Sequence, residues 1–117
     1  MKKNNPVQEK CFKFSVKIIQ VCKDLKINGE FELSKQLLKS ATSIGANVEE
    51  AIGASSKKDF VYKMTLAYKE AREARYWIRL LIATNQFPQQ SSSICLKQIL
   101  ELERLLVSII KTSKLNF

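Results

Sequence analysis

The sequence predicts an all-α protein, an antiparallel up-down-up-down four-helix bundle, and three observations support this prediction. Apolar residues recur at alternating steps of four and three in four separate segments, which is the spacing of one helix face. Only three Gly and two Pro occur among 117 residues, which favours long helices over barrels, sandwiches and glycine-rich phosphate loops. The connections between the segments are short, so successive helices should run antiparallel. We expect one domain over residues 1–117.

Helix 1 is predicted over residues 6–27. Pro6 suits a first helical turn, and Gly29 is free to take the left-handed conformation that ends a helix. The apolar face that we expect in the core consists of Val7, Cys11, Phe14, Ile18, Val21 and Leu25. Phe12, Ile19 and Cys22 are expected to widen this face, since a bundle helix contacts two neighbours.

Helix 2 is predicted over residues 32–53, where Gly53 begins the next connection. Its expected core face consists of Leu37, Ala41, Ile44 and Val48. Gly45 lies inside the helix, where glycine costs about 1 kcal/mol relative to alanine. We therefore expect close packing against a neighbouring helix at this position.

Helix 3 is predicted over residues 57–85 and has the most regular pattern. Ser56 and Asp59 resemble a capping box at its start. The expected core residues are Phe60, Met64, Ala67, Ala71, Ala74, Ile78 and Leu81. Because three of them are alanines in succession, we expect a neighbouring helix to approach closely.

Helix 4 is predicted over residues 92–114, after a turn that contains Phe87 and Pro88. One of the serines from Ser91 to Ser93 should cap its first turn. The expected core face consists of Cys95, Ile99, Leu102, Leu106 and Ile109.

Composition argues against catalysis, a metal site and a cofactor. The chain has no histidine, which removes the commonest general base, the commonest zinc ligand and every Ser–His or Cys–His nucleophile. Glu49 and Glu50 are adjacent, so their side chains diverge by about 100° on a helix. Cys11, Cys22 and Cys95 lack metal-ligand spacing, and we expect three buried free thiols in a reducing cytoplasm. No apolar run is long enough to cross a membrane.

The charge balance predicts a polyanionic partner such as RNA or DNA, or more weakly an anionic lipid surface. Twenty Lys and Arg against eleven Asp and Glu leave a net charge of +9, although excess lysine also serves solubility alone. We define the basic stripe of helix 3 as Lys69, Arg72, Tyr76 and Arg79, with Tyr62 preceding it; such residues suit phosphate contacts and base stacking. The lysines of helix 1 would widen this surface, namely Lys10, Lys13, Lys17, Lys23 and Lys26. An ordinary solvated face is the alternative.

Two further surfaces predict self-association. The tryptophan strip of helix 3 consists of Leu66, Trp77 and Leu80 with Glu73 among them, and an exposed Trp in an apolar strip suits a subunit contact. Alternatively, helix 3 is buried on two sides. The polar seam of helix 2 consists of Gln36, Ser40, Ser43, Asn47 and Glu50. We expect Glu50 to pair with an arginine of helix 3, and one subunit's polar seam to meet the next subunit's tryptophan strip head to tail. The alternative for the polar seam is a solvent face.

Three segments resemble a known family. Leu33 to Glu50 resembles L-x-x-Q-x-x-x-S-A-x-S-I-x-x-N-x-x-E, and Ser56 to Phe60 is similar to S-x-x-[DE]-F. Lys69 to Leu81 is similar to K-E-A-x-E-x-x-Y-W-L-x-L-L. These patterns occur in the four helix bundle protein family, also called the 23S rRNA-intervening-sequence protein family. The chain departs from the family at Ala51, where glycine is common, and at Gly45, where proline is frequent.

The resemblance implies a small bacterial cytoplasmic protein that forms an antiparallel four-helix bundle and assembles as a pentameric ring. A related protein, the accessory factor of diversity-generating retroelements, is a basic pentamer that binds nucleic acid and the reverse transcriptase. The family supplies no catalytic residues to carry over. Two functions follow as hypotheses. The first is a ring that binds nucleic acid. The second is a structural module that contacts a protein partner and does not bind RNA or DNA.

Overall fold

Four α-helices make up nearly all of the structure. The computed structural model describes residues 5–115, and within them it contains α1 (Pro6–Ile27), α2 (Glu32–Ile52), α3 (Lys57–Ala83) and α4 (Gln89–Leu115), with no strand. The predicted all-α four-helix bundle is therefore confirmed. Residues 1–4 and 116–117 of the expected domain lie outside the described residues. No helix in the described part of the chain is long and apolar enough to span a membrane.

The helices occupy the four corners of a bundle and run antiparallel. Each described helix packs beside the next one along the chain, and α4 packs beside α1. The diagonal pairs α1–α3 and α2–α4 bring no Cα atoms within 8 Å of each other. Gln8 at the start of α1 donates a hydrogen bond to Glu49 near the end of α2, at 2.8 Å. Cys22 and Ser34 exchange hydrogen bonds at the opposite end of the same helix pair. The same opposed register places Lys10 against Glu101 and Arg75 against Glu103.

The ends of α1 show how local sequence starts and stops a helix. The Asn5 side chain accepts a hydrogen bond from the Gln8 amide at 3.2 Å, which satisfies one of the free amides of the first turn. At the other end Gly29 has φ +87°, as its sequence position predicted. The Glu30 amide donates to the Leu25 carbonyl at 2.9 Å, closing the turn that a left-handed glycine allows.

The start of α4 differs from the prediction. Ser56 caps α3 as expected, accepting from the Asp59 amide at 3.0 Å. In contrast, α4 begins at Gln89, and Ser91 lies within its first turn, only 8% exposed. Phe87 is buried in the core and Pro88 has a restricted φ, so the chain enters the helix immediately after them. The serine cluster is therefore not the cap.

The predicted apolar faces form the core. All the core residues predicted for α1 and α2 are buried, as are those of α3 and α4 except Phe60 and Ile109, which are partly buried against the core. The expected widening of the α1 face is wrong for two side chains, because Phe12 is 70% exposed and Ile19 is 41% exposed. Phe12 lies about 160° around the helix from the buried Phe14, and Ile19 about 100° from the buried Ile18, so both side chains point away from the core.

Gly45 is not required by the α1–α2 contact. A Cβ atom built on Gly45 would lie 3.4 Å from the Cβ of Cys11 and 3.9 Å from the Oγ of Ser15, which are ordinary van der Waals distances. Close approach of α1 and α2 is therefore real, as predicted, but it leaves space for one methyl group.

The three cysteines are free and buried, as predicted. Burial, helped by the nearby Glu49 carboxylate, raises the pKa of Cys11 to about 12. Burial raises the pKa of Cys95 to about 11, against the influence of Lys17. Both thiols therefore stay protonated at neutral pH, and such thiols are unreactive.

These raised pKa values predict a loss of stability at high pH. In the unfolded chain the thiols ionise near pH 9.0, whereas in the folded chain Cys11 and Cys95 keep their protons until about pH 12 and about pH 11. The unfolded state thus binds fewer protons above pH 9, and each thiol lowers the unfolding free energy by about 1.4 kcal/mol per pH unit. Urea unfolding between pH 8 and pH 10.5 should give a shallower dependence for Cys11→Ala and for Cys95→Ala than for the wild type. Parallel curves would contradict the prediction.

Candidate nucleic-acid interface

The basic stripe of α3 lies on the solvent side of the α3–α4 boundary. Lys69, Arg72, Tyr76 and Arg79 are all exposed, and Tyr62 before them is exposed as well. The Arg72 guanidinium lies 6.0 Å from the centre of the Tyr68 ring, within range of a cation–π contact. Tyr68, which the sequence analysis did not select, is partly buried and faces α4. The cations of the stripe therefore lie beside the aromatic rings of Tyr68 and Tyr76.

A row of cations on α4 extends this surface. Lys97, Arg104 and Lys111 are exposed and lie seven residues apart, so they share the outward face of α4. Arg104 and Lys111 line a groove of about 570 Å³ together with Tyr68 of α3. The sequence analysis missed this row, although its seven-residue spacing was a usable signal.

Two acidic residues of α4 beside this surface are paired with cations of other helices, whereas Glu73, one helical turn from Lys69, is exposed. Glu103 accepts a hydrogen bond from the Nε of Arg75 in a half-buried ion pair. Glu101 pairs with Lys10 of α1 at 3.2 Å. Within residues 5–115 the cations of the basic stripe and of the α4 row form no ion pair, so their charge faces solvent. We call the basic stripe, the α4 row and Tyr68 together the α4 face.

The helix 1 lysines are predicted to widen the basic surface. In the structure, α4 separates them from the basic stripe. Helices α1 and α3 occupy diagonal corners, and α4 lies between them. Lys10 is held by Glu101, Lys17 is half-buried near Cys95 of α4, and Lys13 is exposed. These three lysines therefore flank the far side of α4, and the α4 row fills the interval between the two predicted groups. Lys23 and Lys26 are exposed near the end of α1.

A second groove, of about 330 Å³, lies further along the α3–α4 boundary. It is lined mainly by apolar groups, among them Leu80, Ile82 and Leu96, with Tyr76 and Arg79 at its edge. An apolar cleft beside a guanidinium and an aromatic ring can take the flat face of a base while the cation contacts a phosphate.

Leu66 and Trp77 of the tryptophan strip lie on the flank of α3 toward α2, whereas its last residue, Leu80, lines the second groove at the α3–α4 boundary. Leu66, Trp77 and Leu80 are half-buried, and Trp77 packs partly against its own core, so the alternative of burial on two sides applies in part. The Trp77 Nε1 donates to the Glu73 carboxylate at 3.2 Å, and its ring meets Tyr76 edge-on at 5.3 Å. Burial, together with the nearby Glu73 carboxylate, raises the pKa of Glu70 against the influence of Lys39 on α2.

The polar seam lies on the same side of the subunit as the tryptophan strip. Gln36 and Glu50 are exposed, Ser43 and Asn47 are half-buried, and Ser40 is buried. The Ser40 and Ser43 hydroxyls and the Asn47 amide donate to carbonyls of their own helix. Within residues 5–115 Glu50 pairs with no arginine, contrary to the prediction. The seam and the strip lie side by side, since Lys39, which adjoins Ser40, lies near Glu70 of α3. Their contact between subunits stays a prediction.

The comparisons with known proteins agree with the resemblance seen in the sequence. The family model described as 23S rRNA-intervening sequence protein matches residues 3–108. A crystal structure from Bacteroides thetaiotaomicron, of a protein of unknown function from the S23 ribosomal protein family, is similar with a TM-score of 0.87 and 42% sequence identity. That match covers 92% of this chain and 96% of the other chain. A comparison with curated proteins gave no match.

Proposed function

Because the chain belongs to the 23S rRNA-intervening sequence protein family, we propose that it is a non-enzymatic, ring-forming protein that binds RNA or DNA through phosphate contacts. The ring would contain five subunits, the number that the family resemblance implies. Each subunit carries a net charge of +9, so a ring would concentrate a large positive charge.

The α4 face is the observation that carries this proposal. Its cations come from two adjacent helices, its Tyr rings stand among them, and the neighbouring carboxylates Glu101 and Glu103 are neutralised by other residues. Along α3, the basic stripe from Lys69 to Arg79 spans about 15 Å at 1.5 Å per residue. Duplex DNA presents a phosphate charge about every 1.7 Å of its axis, so a surface of this length meets several phosphates.

The proposed binding is not selective for sequence. Arg and Lys on a convex helix face contact phosphates, and phosphate contacts carry no base information. The tyrosines add stacking, which every base can provide. The grooves between α3 and α4 favour single-stranded or looped segments, because an unpaired base can enter them whereas a paired base cannot.

A salt titration tests the proposal directly. Fluorescence anisotropy or mobility shift would follow binding of a structured RNA, a single-stranded RNA and a duplex DNA at salt concentrations from about 0.05 to about 0.5 M. We expect micromolar or tighter binding at low salt, with the logarithm of the binding constant falling linearly with the logarithm of the salt concentration. No binding at low salt would contradict the nucleic-acid role and leave the protein-contact module as the function of the ring.

Light scattering tests the assembly independently. At micromolar concentration the protein should scatter as a species several times heavier than the 13.4 kDa chain. A mass of one chain at all accessible concentrations would contradict the ring.

A further inference from the structure

An apolar strip on α1 is exposed in the part of the chain that the structure describes, residues 5–115. Phe12, Val16 and Ile19 recur at steps of four and three, and they are 70%, 42% and 41% exposed. Three large apolar side chains on one helix face form a contiguous patch of the kind that marks an interaction surface. We call these three residues the helix 1 strip.

The helix 1 strip borders α2. Gln8 hydrogen-bonds to Glu49 of α2, and Phe12 follows Gln8 by one helical turn. Ser15 faces Gly45 of α2, and Ile19 follows Ser15 by one turn. Residues four apart on a helix share a face, so Phe12 and Ile19 lie just outside the α1–α2 contact.

The tryptophan strip borders α2 on the other side. Glu70 lies close enough to Lys39 of α2 for the lysine to influence its pKa. Leu66 precedes Glu70 by one turn and Trp77 follows it by two, so the strip shares the flank of Glu70. The two apolar strips therefore lie on either side of α2, on helices at diagonal corners of the bundle.

We propose that the helix 1 strip of one subunit packs against the tryptophan strip of the next copy of this chain. The inference rests on the proposed ring and identifies the two surfaces that build it. In this proposal the helix 1 strip, rather than the polar seam, is the surface that meets the tryptophan strip of the next subunit. The polar seam then lies beside the tryptophan strip, at the edge of the same interface.

The charges around the two strips are complementary. Glu73 belongs to the tryptophan strip and Glu70 borders it. Burial and the nearby Glu73 carboxylate raise the pKa of Glu70. Lys23 continues the helix 1 strip one turn beyond Ile19, and Lys26 follows in the next turn, both exposed. Cations of one subunit placed beside crowded carboxylates of the next would favour this pairing over a pairing of either strip with itself.

The positions of the strips also favour closure of a ring. Two contact surfaces on directly opposite sides of a subunit would generate a straight or helical filament. The helix 1 strip and the tryptophan strip both border α2, so the two contacts of a subunit lie at an angle to each other, as a closed ring requires. Successive subunits would then turn about an axis on the α2 side. In that ring α2 faces inward, and the α4 face lies on the outer surface, where nucleic acid can reach it.

Substitutions on exposed residues test the contact without disturbing the core. Phe12→Glu should convert the wild-type ring to the 13.4 kDa chain in sedimentation velocity, with the far-ultraviolet circular dichroism unchanged. Ile94→Glu is the matched control, since Ile94 is an exposed apolar residue of α4 outside both strips. Leu66→Lys should break the tryptophan strip in the same way, and the exposed Glu73→Lys provides a second version if Leu66→Lys unfolds.

Mixing the two broken variants distinguishes the pairing. Phe12→Glu keeps an intact tryptophan strip, and Leu66→Lys or Glu73→Lys keeps an intact helix 1 strip. Together they should form one-to-one dimers of twice the mass of one chain and no ring. Separate dimers of each variant alone would overturn the proposal, because they mean that each strip pairs with itself.

The outcomes also separate this inference from the proposed function. A wild-type ring that Phe12→Glu leaves intact overturns the contact and not the ring. A wild-type protein that is always a single chain overturns both. Nucleic-acid binding by the dissociated Phe12→Glu chain, even if weaker, would show that the α4 face acts independently of assembly.

Discussion

Replacing Arg72 and Arg79 with Gln is expected to weaken binding to duplex DNA by about 100-fold at 0.1 M salt and to flatten the salt dependence by about two units. Each lost phosphate contact removes about 0.9 from the slope of log affinity against log salt and about one decade of affinity at this concentration. Both arginines are exposed and form no ion pair within residues 5–115, so the fold should be unaffected. Anisotropy titrations across the salt series measure both quantities.

A matched pair of lysines on α2 provides the control. Lys35→Gln with Lys39→Gln removes the same charge from exposed positions on the helix diagonal to α4. If general charge attracts the nucleic acid, both double variants should lose the same affinity; if the α4 face binds it, the α2 variant should retain most of its slope. Unchanged affinity and slope for the Arg72 and Arg79 variant, in an assembled protein, would assign these residues to a solvated surface.

The α4 row should behave like the basic stripe. Arg104→Gln with Lys111→Gln is expected to flatten the salt dependence by a similar amount, because both side chains line the groove that Tyr68 closes. This double variant separates a surface made by two helices from one made by α3 alone.

Trp77→Ala is expected to dissociate the proposed ring at micromolar concentration. An aromatic anchor at an interface contributes roughly 2–4 kcal/mol when truncated, and a ring repeats that loss at every contact. Trp77 also packs against its own core and hydrogen-bonds to Glu73 at 3.2 Å, so the variant should lose some stability of the single chain as well. Sedimentation velocity measures the mass, and urea unfolding measures the stability of the chain.

The wild-type protein supplies an independent signal for the same event. Trp77 is the only tryptophan in the chain, so dilution through the dissociation range should shift its fluorescence to longer wavelength as the strip becomes hydrated. Trp77→Phe keeps an apolar ring at the position and should retain most of the assembly. A Trp77→Ala variant that is folded and has the wild-type mass would show that the strip lies outside the subunit contact.

Periodicity predicted the core correctly because each helix buries one face. Residues that recur at alternating steps of four and three all lie on the same face of an α-helix. Phe14, Leu37 and Ile99 lie in the core where their spacing placed them. Helix ends were accurate where a single residue decides them, as at Gly29 and Ser56. The start of α4 was missed because burial of Phe87, a tertiary contact, determines where the chain enters that helix.

The candidate interface was predicted in part. The exposed cations of α3 follow from a period on one helix, and so would those of α4 had the same test been applied to Lys97, Arg104 and Lys111. Which helices lie side by side does not follow from any single period, so the position of α4 between the α1 lysines and the basic stripe could not be predicted from the sequence.

The sequence alone determined the four helices, their core faces, the excess of positive charge and the family. These depend on residue type and on spacing along one helix, which are local properties. Only the tertiary structure decided which faces meet: that Glu101 and Glu103 are neutralised, that Phe12 and Ile19 stay exposed, and that the polar seam adjoins the tryptophan strip. The physical reason is that the spacing along one helix determines which face is buried but not which helix covers it. The arrangement of the four helices therefore determines which charges meet and which apolar side chains stay exposed.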